Sequence, residues 1–271
     1  MKIYLKKDGE WELFEGDLGA ELKSRSITIA ASARINGGAH IGDRATVGDR
    51  AIIGARATVG DGARIGDRAS IGARAIIIDG VIIGDGAGIG NGARIGDGAN
   101  IGDGSSIGDK ANIGAWAIIG DGAIVGARAR IGDGATVGDS AIISDCATVG
   151  DRATVGDGVI ISYGARIGDG AIVIDRATIG AGVIISYGAR IGDGATVGDT
   201  FSCITLGPIG SRSDMMTGYM HAGHLWIGTG CFIGDVKTFV KKVKETHGNN
   251  RHAKDYRHAV AYLRAKFGVS K

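Results

Sequence analysis

Histidine, cysteine and carboxylate side chains are the groups in this 271-residue chain that could do chemistry, and few of them are spaced to act together. His40 stands alone before residue 221. An imidazole is the usual general base near neutral pH, so His40 is the candidate catalytic residue of the first 200 positions. Farther on, His221 and His224, with Cys231 seven residues later, offer nitrogen and sulfur donors of the kind zinc takes, though without paired-cysteine spacing. Aspartates recur every 18 residues from Asp49 through Asp67, Asp85, Asp103, Asp121, Asp139, Asp157 and Asp175 to Asp193. Such a column could attract divalent cations, or each carboxylate could accept backbone N–H bonds within its own turn. Arg56, Arg74, Lys110 and Arg128 keep the same interval, broken once. They could dock a phosphate-bearing cofactor or simply keep the surface soluble. No Ser–His–Asp arrangement is evident. The glycines recur too regularly for a phosphate-loop match to carry information.

What must position these groups is a repeat. From Ile29 to Val197 every sixth residue is isoleucine or valine, 29 consecutive positions without an insertion. Numbered from that aliphatic residue, position five is alanine at 24 of 28 places, the exceptions being Val81, Ser105, Val159 and Val183. Strand side chains alternate, so positions one and five share an interior and position six points outward. Glycine at position two removes an outward side chain beside the turn. Asp-Gly or Asp-Arg at positions three and four makes the turn, where residues tolerant of positive φ are wanted. Hexapeptide self-similarity specifies a β-solenoid. Three strand–turn units close a triangular coil of 18 residues, giving a mainly β rod of nearly ten coils, roughly 46 Å long at ~4.8 Å per coil.

The regions outside the repeat read as caps, dividing the chain into 1–26, 27–200 and 201–271. Ile3–Lys7 and Glu10–Phe14 around Asp8-Gly9 predict a β-hairpin closing the first coil. The last segment predicts a small α+β cap. Short strands at 215–220 and 224–228 precede two helices, one from Asp235 as N-cap to Gly248 with Val236, Phe239, Val240 and Val243 as its stripe. The other carries Tyr256, Val260, Leu263 and Phe267 and ends at Gly268. This cap holds 11 Lys/Arg against 4 Asp/Glu, leaving residues 1–200 with 20 against 25. An acidic partner is therefore expected at the cap, whereas an overall charge of +2 argues for no specific nucleic acid. No apolar run suits a signal peptide or membrane span, and three dispersed cysteines suit a reducing, cytoplasmic setting.

Residues 27–200, by their aliphatic, glycine, Asp-Gly/Asp-Arg and alanine positions, resemble the hexapeptide-repeat family. That resemblance implies a left-handed parallel β-helix and a homo-oligomer, usually a trimer. Stacking by 18 puts Ile124, Ile142 and Ile160 in one outward column, an apolar patch expected to form the subunit interface. Many members of the family are acyltransferases that use coenzyme A or acyl-carrier donors. They place a histidine base between subunits, commonly beside a loop extruded from a coil. This chain departs from that pattern, extruding no loop and carrying only His40 in its rod. The family's carbonic anhydrases hold zinc with three histidines on neighbouring coils, which one histidine cannot do. The stretches 206–212, 230–234 and 246–250 are similar to a tail of uncharacterised bacterial hexapeptide proteins.

Val159–Ala171 recurs as Val183–Ala195, displaced by 24 residues. That is four hexads but not a whole number of coils, so the copies fall on different faces. A face-specific site would not survive that displacement, whereas a spacer would. The expectation is a structural or scaffolding rod that requires no cofactor, with its basic cap serving assembly or partner binding. The alternative is an acyl-CoA-dependent O- or N-acyltransferase with its site between subunits.

Overall fold

The computed structural model describes residues 2–7, 10–16, 18–198 and 203–269. Strands β1 (Lys2–Lys7) and β2 (Glu10–Glu15) pair as an antiparallel hairpin. β1 then continues into the rod as a first rung, parallel to the opening coil, with Tyr4 beside His40 and Leu5 beside Ile41. Ile3 and Leu5 are fully buried, so the hairpin plugs the core as well as covering its edge. A six-residue helix α1 (Gly19–Ser24) follows, tied down where Arg25 bridges Glu21 at 2.7 Å and Asp43 at 3.4 Å. The sequence did not predict this helix, which buries no residue fully and is too short to hold itself.

Strands β3 to β31, from Thr28–Ile29 to Thr196–Val197, are 29 two-residue strands of one hexad each. Three make a coil, giving nine complete coils and two thirds of a tenth, stacked as three parallel sheets. From Ala39 to Val197, positions one and five are buried throughout, and Ser105 is the single polar residue among them. Its hydroxyl donates to the Gly102 carbonyl at 2.8 Å, which makes the burial tolerable. Position four is left-handed in the turns, with φ near 60° whether it carries glycine, as at Gly104, or arginine, as at Arg50.

The aspartate column is a hydrogen-bond ladder between coils. The amide of Asp103 donates to Asp121 Oδ1 at 2.8 Å, and that of Asp121 donates to Asp139 Oδ1 at 2.9 Å. The same bond runs along neighbouring corners, as from Asp43 to Asp61 and from Asp133 to Asp151. The partner is the turn 18 residues earlier, not the carboxylate's own turn as the sequence suggested. It also gives a stronger reason for glycine at position two. A Cβ at Gly102 would overlap Asp121 Oδ1 and lie 2.7 Å from the Asp121 nitrogen, so the next coil occupies the space a side chain would need.

The cap is an antiparallel sheet of β32 (Cys203–Ile209), β33 (Asp214–His221), β34 (His224–Thr229) and β35 (Phe232–Asp235), in that order. Helices α2 (Val236–His247) and α3 (Arg251–Phe267) complete it, both where the sequence placed them. Val240 is the exception in the predicted stripe, being substantially exposed while Val236, Phe239 and Val243 are buried. The sheet seals the last coil. Tyr219 Oη accepts the Gly192 amide at 3.0 Å, and Thr217 Oγ1 accepts that of Arg190 at 3.3 Å.

Asp235 N-caps α2 by accepting the Thr238 amide at 2.9 Å and the Thr238 hydroxyl at 2.7 Å. These bonds hold its carboxyl below the usual carboxylate range. The stabilisation is therefore present above the unfolded pKa and lost as pH falls through the lower, folded one. Asp235→Ala is expected to cost the cap ~1 kcal/mol at neutral pH, less in acid, read by cap amide exchange.

Candidate functional site

The three outer faces of the rod differ in what position six carries. On the first, His40, Thr58, Ile76, Arg94, Asn112, Arg130, Thr148, Arg166 and Ile184 stack in register. Arg94, Asn112, Arg130 and Thr148 line a shallow groove of about 480 Å³, with Asp133 and Asp151 on its rim.

His40 lies at the N-terminal end of that face, half-buried against the hairpin. Its ring stacks on Tyr4 with centroids 4.5 Å apart, and Trp11 meets it edge-on at 4.9 Å. Burial lowers its pKa, partly opposed by a hydrogen bond to the Gly38 backbone. The imidazole is thus a piece of the seal between hairpin and rod, set apart from the groove of the same face.

Arg56, Arg74, Lys110 and Arg128 occupy left-handed turn positions along one corner, with φ of 58–60°. All four are exposed. Gly92 and Cys146 interrupt or end the column, as their numbers require.

On the third face Ile124 pairs with Ile142, and Ile142 with Ile160, in parallel register. They remain 46%, 37% and 39% exposed. Exposed isoleucines elsewhere are interrupted, as where Asn100 separates Ile82 from Ile118. The repeated thirteen residues divide as expected. Ile160 stands in the isoleucine column and Ile184 on the first face, next to Arg166.

In the cap, His221 and His224 face each other across the β33–β34 hairpin, and the His221 ring meets Trp226 edge-on at 5.0 Å. Cys231 lies beyond the other end of β34, roughly 20 Å along the strand at ~3.3 Å per residue. The fold therefore does not bring the three suggested zinc donors together. Among the described residues, no group of three or more His, Cys, Asp or Glu is placed to hold a metal ion. Cys203 is buried, which pushes its thiol up to about 12, while Cys231 is exposed. Nor does any helix among them have the length and hydropathy to cross a membrane.

Comparison with known proteins places this geometry. Residues 51–144 match the family described as GMPPB C-terminal domain, and residues 175–198 match the hexapeptide repeat of succinyl-transferase. A comparison with curated protein sequences finds no match. Among solved structures, UDP-N-acetylglucosamine O-acyltransferase (LpxA) from Moraxella catarrhalis RH4 aligns over 89% of this chain and 94% of its own. Its TM-score is 0.51 at 18% identity. The acetyltransferase domain of PglB from Neisseria gonorrhoeae FA1090, solved with acetyl coenzyme A, is 27% identical with a TM-score of 0.40. The match covers 41% of this chain and 53% of that one, about half its length. The repeat, the three-sided coil and the LpxA-like course of the backbone together give this chain the fold of a left-handed parallel β-helix, with a hexapeptide-repeat match over residues 175–198.

Proposed function

We propose that the chain is a self-associating structural rod, a trimer joined through the Ile124–Ile142–Ile160 column, that carries a basic cap able to bind acidic partners. The observation behind this reading is continuity. Twenty-nine hexads follow one another with no extruded loop, and the rod's one histidine packs against Tyr4 and Trp11 of the hairpin. Three aliphatic side chains in adjacent rungs form a contiguous apolar strip, which a soluble rod gains by burying. Lysine at all three positions (Ile124→Lys, Ile142→Lys, Ile160→Lys) is expected to reduce the sedimentation-equilibrium mass from three times 27.5 kDa to one. A triple variant with unchanged circular dichroism and unchanged mass would overturn the interface.

A second reading is an acyl-CoA-dependent acyltransferase working between subunits, and the groove of the first face favours it. Arg94 and Arg130, with Asn112 and Thr148 between and beyond them, present donors suited to phosphates, on a fold shared with an O-acyltransferase. Equilibrium dialysis with acetyl coenzyme A separates the two. Binding lost in Arg94→Gln/Arg130→Gln supports the enzyme, and no binding supports the rod alone.

A further inference from the structure

Three segments far apart in sequence close on one cleft in the cap. Ser211 and Arg212 come from the β32–β33 turn, Cys231 from the β34–β35 turn, and Lys242, Thr246 and His247 from the second half of α2. The volume they border is about 320 Å³. These are the stretches 206–212, 230–234 and 246–250 that stood out in the sequence, and the fold gives them a common address. Glycine lets one turn approach: Gly210, at φ 73°, has no room for a Cβ beside the Tyr256 hydroxyl. Gly230 suits its turn by its left-handed φ of 52°.

The chemistry of the walls is one-sided. Arg212 and Lys242 are cations and His247 adds an imidazole N–H, against the single carboxylate of Asp214. That carboxylate accepts the Met215 amide at 2.8 Å. Among the described residues it makes no ion pair with Arg212. Lys242 Nζ sits 5.3 Å over the Phe232 ring, and both residues line the cleft. Hydroxyls of Ser211 and Thr246 add neutral donors. The floor is aromatic, with Phe232 and Phe239 at 5.1 Å and Phe239 and Tyr256 at 5.4 Å.

We propose that this cleft binds a small organic phosphate, its anionic group held by Arg212, Lys242 and His247 and its apolar body on the Phe232–Phe239 floor. The volume sits at the small end of ligand pockets, which start near 300 Å³. Charged donors from the β32–β33 turn and from α2 border the same cleft, a set that suits the oxygens of a phosphate. The site lies in the cap and is independent of both readings of the rod.

Phenyl phosphate is the probe, and Cys231 is the reporter because it is the exposed cysteine on the rim. Calorimetry on the full chain should show phenyl phosphate binding. At ten times its Kd, alkylation of Cys231 by neutral iodoacetamide should slow about tenfold. Cys146, out on the rod, should react unchanged. Arg212→Gln and Lys242→Gln should each weaken binding and relieve the protection, measured as the ratio of protected to unprotected Cys231 rates within each variant. Failure to bind overturns the proposal, as does binding that leaves Cys231 unprotected. Equal protection by anisole, which has the ring without the charge, would overturn it too.

Discussion

Replacing Gly120 with alanine is expected to destabilise the rod by ~3 kcal/mol or more, from overpacking against an unyielding backbone plus the loss of a charged hydrogen bond. The added Cβ would overlap Asp139 Oδ1 and stand 2.6 Å from both the Asp139 nitrogen and the Gly138 carbonyl carbon. Backbone of the next coil cannot rotate away as a side chain could. Pushing Asp139 aside also breaks its bond from the Asp121 amide, leaving that donor without its carboxylate. Gly104 is the control. It sits at the left-handed turn position with φ 62° and nothing within 4 Å of a Cβ. Alanine there should cost only ~1 kcal/mol, the strain of a left-handed side chain. Urea unfolding of the two variants, followed by circular dichroism, measures the contrast. Equal midpoints would mean that the coils spread apart far more easily than their spacing implies.

Leu263→Ala is expected to remove ~2–5 kcal/mol from the cap while leaving the rod's stability untouched. Leu263 is fully buried on α3 and packs onto Gly218, where a Cβ would come within 2.7 Å of its Cδ1. It belongs to a cluster with Met216, Leu225, Ile227 and Phe239 that is separate from the rod's continuous core. Stability in a solenoid passes between neighbours rather than across the whole chain, so damage at one end should stay local. Hydrogen exchange read by mass spectrometry should show faster exchange in β32–β35 and α3, with β10–β20 strands of the rod unaffected. A single lowered transition for the whole chain would show instead that Tyr219, which is part of the rod's cluster, welds the two cores into one unit.

The rod was legible because its information is local and periodic. A buried alanine at position five and isoleucine or valine at position one fix the interior, and the turn chemistry fixes the corners. Both helix boundaries of the cap could be read for the same reason, from Asp235, Gly248 and Gly268. What could not be read depends on contacts between segments. Nothing near Asp121 says that its carboxylate serves the previous coil, because the partner is 18 residues away. Position six points outward, and only the hairpin's return over the first rung sets Tyr4 and Trp11 against His40. The zinc suggestion failed because sequence spacing ignores strand direction. His221 and His224 meet across a tight turn, while the strand itself carries Cys231 away. The cleft had a signal in the three tail motifs, but their meeting is a property of the sheet order and could not be seen beforehand.

The ladder has a direction, and this bears on how the chain is made. Turn amides at position three wait for a carboxylate synthesised 18 residues later, as Asp121 does for Asp139. Strand amides wait for a carbonyl almost as far ahead, as when Ile124 donates to Ala141, whereas position-four amides look back, as Gly122 does to the Asp103 carbonyl. A chain emerging from the ribosome therefore always ends in one unfinished rung, and folding trails translation by a full coil. Tyr219 and Thr217 end that debt by supplying hydroxyls to Gly192 and Arg190 in place of another coil. A rod released before its cap would be adhesive at that end whatever its length, because the next segment to satisfy it could come from any other copy.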